Sequence, residues 1–291
     1  MTSALFYVNW EKDAVAVVIN EWANACLDCG IVPLFLDSDR VYAEDSIAVF
    51  EKCSVIRREH VPLADMVFTF GGDGTMIRAL DSLSEYGKPF LGVNLGRMGF
   101  LLEAERTPQP YLEHLLRGEY QLEERMMLRM ETVNHGIRLV EYATNEISIS
   151  RGMSQRMIAL DVKNEEAVIE HYIADGIILA TPTGSTAYSL AAGGPIVSPG
   201  VECILVNPIC AHTLQSRPLI LPPEESLTVS LNMKEERKGS ILSADGRTIC
   251  TLENGDEVRV TRSPYRAKLI RFEKQTRFFT LIKEKLSIAT L

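Results

Sequence analysis

Residues 67–80, "VFTFGGDGTMIRAL", constrain the fold more than any other stretch of the chain. An apolar run that ends on Gly71-Gly72-Asp73-Gly74 and passes straight into helical spacing reads as strand, tight turn and helix, the opening of a parallel crossover unit. The turn then lies at the carboxyl edge of the sheet, where open α/β folds take ligands. The flanking pattern agrees. Residues 5–8 read as a buried strand, residues 11–29 carry helical spacing that stops at Gly30, and residues 31–36, 66–70 and 89–93 are again strand-like, with a helix over 75–83. An N-terminal α/β domain, Rossmann-like with a mostly parallel sheet, is expected.

After Glu103 the periodicity changes. A short helix over 110–116 leads into strand-like runs at 126–133, 138–143, 146–150, 157–162, 167–172 and 177–180. Further runs follow at 227–231, 241–243, 248–252, 257–261 and 267–272, with Asp245-Gly246 and Asn254-Gly255 as hairpin turns. This half is β-rich. The 291 residues are enough for two units that each bury a core, and the break is expected between 103 and 104.

Composition narrows the classes. A formal charge of −9 argues against a broad nucleic-acid surface and leaves room for a small anionic substrate in a locally positive pocket. No basic segment precedes an apolar core at the N-terminus, and no apolar run reaches the roughly 18 to 20 residues that cross a bilayer. The expectation is a cytoplasmic protein without membrane contact. Cysteines at 26, 29, 53, 203, 210 and 250 are scattered and read as reduced thiols. Cys26 and Cys29 have the spacing of half a zinc site or a redox pair but no second ligand pair, so they read as core cysteines.

The glycine-rich turn poses a chemical question. Glycines let a ligand approach the backbone, and free N–H groups at a helix start favour phosphate. Asp73 would repel phosphate. Either its carboxylate accepts the proton of an alcohol that receives a phosphoryl group, or it caps the helix and shapes the turn. There is no GxxxxGK followed by Ser or Thr, and no GxGxxG after the first strand. A second block, residues 175–195, "DGIILATPTGSTAYSLAAGGP", reads as a strand, a hydroxyl-rich loop and a small-residue helix. Its Thr181, Thr183, Ser185, Thr186, Tyr188 and Ser189 suit ribose, amide and phosphate oxygens rather than a metal. The alternative is a capped helix that packs closely.

Four blocks in order resemble the NAD kinase family: "GGDGT" at 71–75, "GVNLGRMGFL" at 92–101, "TNEISISRG" at 144–152 and "DGIILATPTGSTAYSLAAGGPIVSP" at 175–199. With "RPLILP" at 217–222 and "SADG" at 243–246 the likeness spans residues 66 to about 250. The first block is shared with diacylglycerol, sphingosine and phosphofructokinases; the last is specific. The resemblance implies transfer of a phosphoryl group from ATP, or a related donor, to the 2′-hydroxyl of the adenosine ribose of NAD. A magnesium-type divalent cation would arrive with ATP rather than sit in a protein cage.

On that reading Asp73 is the proton acceptor, Gly74 lines the turn and Arg78 contacts phosphate. Asn145 and Glu146 hold the nucleotide, and Asp175 lies toward the nicotinamide end. Thr183, Thr186, Ala187, Tyr188, Ser189, Leu190 and Ala191 form the binding loop, joined by Cys210 and Asp245; Phe100 packs at the cleft or in the core. The likeness further implies domains of 1–103 with a returning tail at 273–291, and 104–272, assembled as a homodimer or homotetramer. Two other functions share some features: a lipid kinase, which shares "GGDGT" but needs a deep apolar cavity, and a catalytically silent NADP sensor, against which an intact Asp73 argues.

Overall fold

The computed structural model describes residues 2–12, 15–96, 99–213, 215–232, 239–272 and 277–286. Two compact units result, Met1–Glu124 with Ala267–Leu291, and Arg125–Arg266.

The first unit begins with β1 (Thr2–Val8), α1 (Val15–Asp28), β2 (Ile31–Leu36), α2 (Arg40–Ser46) and β3 (Ser54–Ile56). It continues with β4 (Met66–Gly71), α3 (Asp73–Leu83), β5 (Pro89–Asn94) and α4 (Gln109–Leu116). The strands pair in the order β3-β2-β1-β4-β5, all parallel. Parallel strands covered on both faces read as continuous apolar runs, and Val67, Phe68 and Phe70 of β4 are all fully buried. Phe6 sits 4.8 Å from Phe70 and Trp22 of α1 sits 5.5 Å from Phe68, ring centre to ring centre. The buried Trp22 indole is satisfied by donating to the Arg106 carbonyl at 2.8 Å, as a buried polar group requires. α1 ends at Gly30, whose φ of 75° is the left-handed cap that glycine provides.

The break between units comes later in the chain than the change of periodicity at Glu103. The physical reason lies in α4: Leu112 and Leu115 are buried in the core that contains Trp22, and Tyr111 stacks on the Trp22 ring at 6.3 Å. A stretch that follows the change of pattern thus packs on the first core.

The second unit contains β6 (Gln121–Asn134) from Arg125 on, β7 (Ile137–Ala143), β8 (Glu146–Ser150), β9 (Ile158–Lys163), β10 (Val168–Ala174) and β11 (Gly176–Ala180). Then come α5 (Tyr188–Ala191), β12 (Ile204–Ile209), β13 (Leu219–Leu221), β14 (Leu227–Leu231), β15 (Ser240–Ala244), β16 (Arg247–Leu252) and β17 (Glu257–Arg271), whose residues from Ala267 on belong to the first unit. One antiparallel sheet runs β13-β12-β11-β8-β15-β16; in the other, β10-β9-β14-β17 are successive neighbours, β6 adds to β17 and β7 to β6. Their inner faces share a core that includes Leu128, Ile147, Leu160, Tyr172, Leu179 and Val229. β11 is buried along its whole length, because its other face packs Ile178 and Ala180 against Val197, Cys203 and Leu205.

Residues 257–261 and 267–272 are not two strands but the single β17. Residues 257–260 pair with β14 and residues 268–269 with β5. Pro264, which has no N–H to give, stands between these two registers and is tolerated there; the next amide, Tyr265, donates instead to the Ser263 hydroxyl at 2.9 Å. The last described helix, α6 (Arg277–Leu286), belongs to the first unit, with Phe278 6.1 Å from Phe100. Among the described residues no helix is long and apolar enough to cross a membrane.

Candidate active site

The turn after β4 is shaped by close approach. A Cβ at Gly71 would fall 2.2 Å from the Thr75 hydroxyl, so only glycine fits. α3 opens at Asp73 with Gly72 as its cap and no side-chain capping bond. The Asp73 carboxylate turns instead to another segment: Oδ2 accepts the Phe100 N–H at 2.8 Å and Oδ1 the Leu101 N–H at 3.1 Å. The capping reading of Asp73 is therefore not what the structure holds. Gly99 makes the arrangement feasible, since a Cβ there would lie 1.9 Å from Oδ1. Gly74 and Arg78 are exposed on the first two turns of α3. Phe100 is half-buried against Phe278. Arg97 and Met98 of the same block lie outside the described residues.

In the second unit a turn at residues 144–146 leads into β8. Its three successive amides, of Thr144, Asn145 and Glu146, all donate to the Asp245 carboxylate, at 2.6, 2.9 and 2.7 Å. Asp245 and Gly246 have φ of 46° and 75° and form the two-residue connection between β15 and β16, the backbone geometry that favours Asp-Gly in hairpins. Asp245 therefore both turns a hairpin and staples the Asn145-Glu146 backbone.

Glu146 itself is buried, and its Oε2 has no hydrogen-bond partner. Its carboxyl is pushed up to about 8, first by burial and then by the negative charge of Asp245. An acid whose folded pKa is raised stabilises the fold below its unfolded value and loses that contribution as pH rises through the folded value. Urea unfolding of the wild type is expected to lose stability between about pH 4.5 and pH 8, by on the order of 4 kcal/mol at most. Glu146→Gln should lack that slope and be the more stable protein at pH 8.5. Equal pH dependence in the two proteins would show that Glu146 titrates normally.

The hydroxyl-rich loop divides into two sets. Thr181 donates to the Thr144 carbonyl at 2.6 Å and accepts the Gly184 amide, and its own N–H donates to the Asn145 carbonyl at 2.8 Å. Ser185 donates to the Pro182 carbonyl at 2.6 Å and accepts the Val197 amide. Ser189 is fully buried, with the Asn207 amide nitrogen 2.9 Å from its carbonyl. The Thr181 and Ser185 hydroxyls and the Ser189 carbonyl build the loop. Thr186 and Ala187 are half-buried, Tyr188 and Ala191 exposed, and Leu190 intermediate, so they form its accessible side. Thr183 is buried and accepts from Arg125 at 3.3 Å.

β11 has a group of candidate residues at each end. At one end Ala180 pairs with Glu146, which brings Asn145, Glu146, Asp245 and the 181–186 loop together. At the other end the Asp175 amide donates to the Ile209 carbonyl, next to Cys210, which is exposed with φ of 48°. Asp175 pairs with Arg151 at 2.8 Å, both side chains about a third exposed. A five-residue strand separates the two groups by roughly 15 Å.

Several supporting residues carry no signal in the motif reading. Arg125 is a buried cation at the head of the buried stretch 125–128 of β6, directly before the apolar residues 126–128, where a charge is seldom buried without a partner. Asn207 is buried within β12 and holds α5 by its backbone. Gly99 matters only because Asp73 reaches it across 26 residues of chain, which local pattern does not reveal.

The chain matches the model of the ATP-NAD kinase N-terminal domain over residues 35–120 and that of the ATP-NAD kinase C-terminal domain over residues 144–272. It is 45% identical to an NAD kinase of Symbiobacterium thermophilum over 225 residues, 77% of this chain and 78% of that one. It is 36% identical to an NAD kinase of Caldanaerobacter subterraneus over 284 residues, 96% of each. In fold it is similar to yeast NADH kinase complexed with NADH, with a TM-score of 0.89 and 24% identity, covering 100% of this chain and 89% of that one. It is also similar in fold to an NAD kinase from Archaeoglobus fulgidus in complex with ATP, with a TM-score of 0.73 and 23% identity, covering 99% of each chain.

Proposed function

This chain belongs to the NAD kinase family, and we propose that Asp73 takes the proton as a phosphoryl group passes from ATP to the 2′-hydroxyl of the adenosine ribose of NAD. The hydroxyl oxygen forms a bond to the γ-phosphorus, the bond from that phosphorus to the bridging oxygen breaks, and ADP leaves. The hydroxyl proton goes to a carboxylate oxygen of Asp73. The observation that carries this reading is the orientation of that carboxylate: it is fixed by the Phe100 and Leu101 amides rather than by its own helix. A base held at a set angle needs no reorganisation when the proton moves.

The exposed start of α3 offers Gly74 and, one turn on, Arg78 to phosphate oxygens. The dinucleotide is long, and the groups at the two ends of β11 suit its two ends. Asn145 offers an amide to a base edge, while the unpartnered Oε2 of Glu146 meets a ribose hydroxyl. Thr183, Thr186, Ala187, Tyr188, Ser189, Leu190 and Ala191 make the binding loop, with Tyr188 giving ring contact. Asp175, Cys210 and Asp245 complete the set, Asp245 by holding the 144–146 backbone.

Among the described residues no group of three or more His, Cys, Asp or Glu could hold a metal by itself. On this reading a divalent cation arrives on the ATP phosphates, where such an ion keeps several of its waters. When bound, the cation neutralises charge on the transferring phosphoryl group. The same reading has the enzyme work in the cytoplasm as a homodimer or homotetramer.

Two variants test the binding half. Tyr188→Ala and Asn145→Ala are expected to raise the KM for NAD more than that for ATP, each by a loss of about 1 to 3 kcal/mol of binding. Steady-state kinetics with each substrate varied in turn, and calorimetric titration of NAD, read the effect. If both variants fold and bind NAD as the wild type does, the 183–191 loop is a packing element only.

A further inference from the structure

Arg271 lies near the end of β17 with a side chain only 12% exposed, and it plugs into the segment that holds Asp73. Its Nη2 donates to the Phe100 carbonyl at 3.2 Å; its Nη1 reaches the Leu101 carbonyl at 3.1 Å and the Leu102 carbonyl at 3.4 Å. Two carboxylates hold the guanidinium in place. Glu103, 4% exposed, meets Nη1 at 3.1 Å, and Glu123 meets Nε at 2.7 Å. The other oxygen of Glu103 accepts the Phe272 amide at 3.0 Å. All these groups belong to the first unit.

The carbonyls that Arg271 engages belong to the same residues whose amides grip Asp73. Phe100 and Leu101 each give an N–H to the Asp73 carboxylate and a C=O to the Arg271 guanidinium. A peptide segment held on both of its hydrogen-bonding edges cannot rotate its amides away from the carboxylate. Gly99, next to it, has no side chain to anchor the segment and lets Asp73 come close. The planar five-donor fork of arginine serves several carbonyls and two carboxylates at once, which the point charge of lysine cannot match.

From this geometry we infer that Arg271 is a positioning residue for the phosphoryl-transfer step, setting the orientation of the Asp73 carboxylate through the backbone of residues 100–102. The inference rests on the assignment of Asp73 as proton acceptor. Arg271 touches neither that carboxylate nor, in this role, a substrate. Its contribution therefore falls on turnover and not on substrate binding.

The test uses the full-length protein. Arg271→Lys keeps the charge beside Glu103 and Glu123 but loses the fork. Arg271→Gln combined with Glu103→Gln removes the guanidinium without stranding the buried Glu103 carboxylate, while Glu123, 20% exposed, keeps access to water. The expected result is a kcat lowered about tenfold for Arg271→Lys and about a hundredfold for the double variant, as small misplacements of a reacting group produce. KM for NAD and for ATP should stay within about threefold. Amide hydrogen exchange at Phe100 and Leu101 should quicken by about tenfold or more while that of β4 is unchanged. In an Asp73→Asn background the Arg271 substitutions should cause no further loss, because the group they orient is already gone.

A kcat within twofold of wild type in both variants would overturn the proposal. So would an equal loss in the Asp73→Asn background, or failure of both variants to fold, which would assign Arg271 to stability alone. Full turnover in Asp73→Asn itself would instead sink the proton-acceptor assignment, while the exchange rates at residues 100 and 101 would still report whether Arg271 holds that segment.

Discussion

Asp73→Asn is expected to lower kcat by roughly a hundredfold or more while leaving NAD affinity within a few fold. Asparagine has nearly the same shape, but its side chain cannot take a proton from an alcohol at neutral pH. One half of the clamp also changes character. Both carboxylate oxygens accept amide protons, from Phe100 and Leu101, and the amide group of Asn has only one oxygen to offer. The other position would set N–H against N–H. The variant thus removes the proton acceptor and weakens its mounting, and both changes act on turnover. Calorimetric titration of NAD, beside initial rates of NADP formation, separates the effects. Comparable turnover in the variant would end the assignment.

Gly184→Ala is the second change with a large expected effect, this time on the second unit. An added Cβ would stand 2.2 Å from the Asn145 carbonyl oxygen and 2.9 Å from its Cα, and both are backbone atoms that cannot swing aside. That carbonyl accepts the Thr181 amide, and the Gly184 amide in turn donates to the Thr181 hydroxyl. Relieving the clash would pull the 181–186 loop off the 144–146 turn and break these bonds. A loss of about 3 kcal/mol in unfolding free energy is expected, from overpacking with lost hydrogen bonds. NAD affinity should fall with it, because Asn145 and Glu146 move with their backbone. Urea unfolding and NAD titration at the same pH measure both. A variant with unchanged stability and NAD affinity would show that the close approach is not required.

How much of this could be read from the chain alone depended on how local the cause is. Runs with uninterrupted apolar pattern and a clear breaker were legible to the residue: β2, β8 and β14 have the ends that the pattern predicts. The glycine-flanked Asp73 and the Asp245-Gly246 turn were legible because φ and close approach restrict which residues fit. β12 carried an Asn and a Pro inside its apolar run, so nothing in the pattern marked it as a strand; its Asn207 is buried because it serves α5. Pro264 split β17 in the sequence reading although the strand continues past it.

The supports of the site were not legible, since each depends on groups distant in the chain. Asp73 is gripped by amides 27 and 28 residues on. The Asp245 carboxylate binds amides about 100 residues before it. Arg271 serves carbonyls some 170 residues earlier. A sequence pattern names the residue types that chemistry needs, whereas the partners that aim them are fixed only by tertiary pairing.

The most direct measurement is a single-turnover experiment: enzyme in excess over NAD, with ATP and magnesium, quenched over time and the product resolved by phosphorus and proton NMR. The expected result is one NADP and one ADP per NAD consumed, with the new phosphate coupled to the 2′ proton of the adenosine ribose, and a time course slowed by roughly a hundredfold or more in Asp73→Asn. ADP formed without NADP, phosphate on any other hydroxyl, or an unchanged time course in the variant would contradict it.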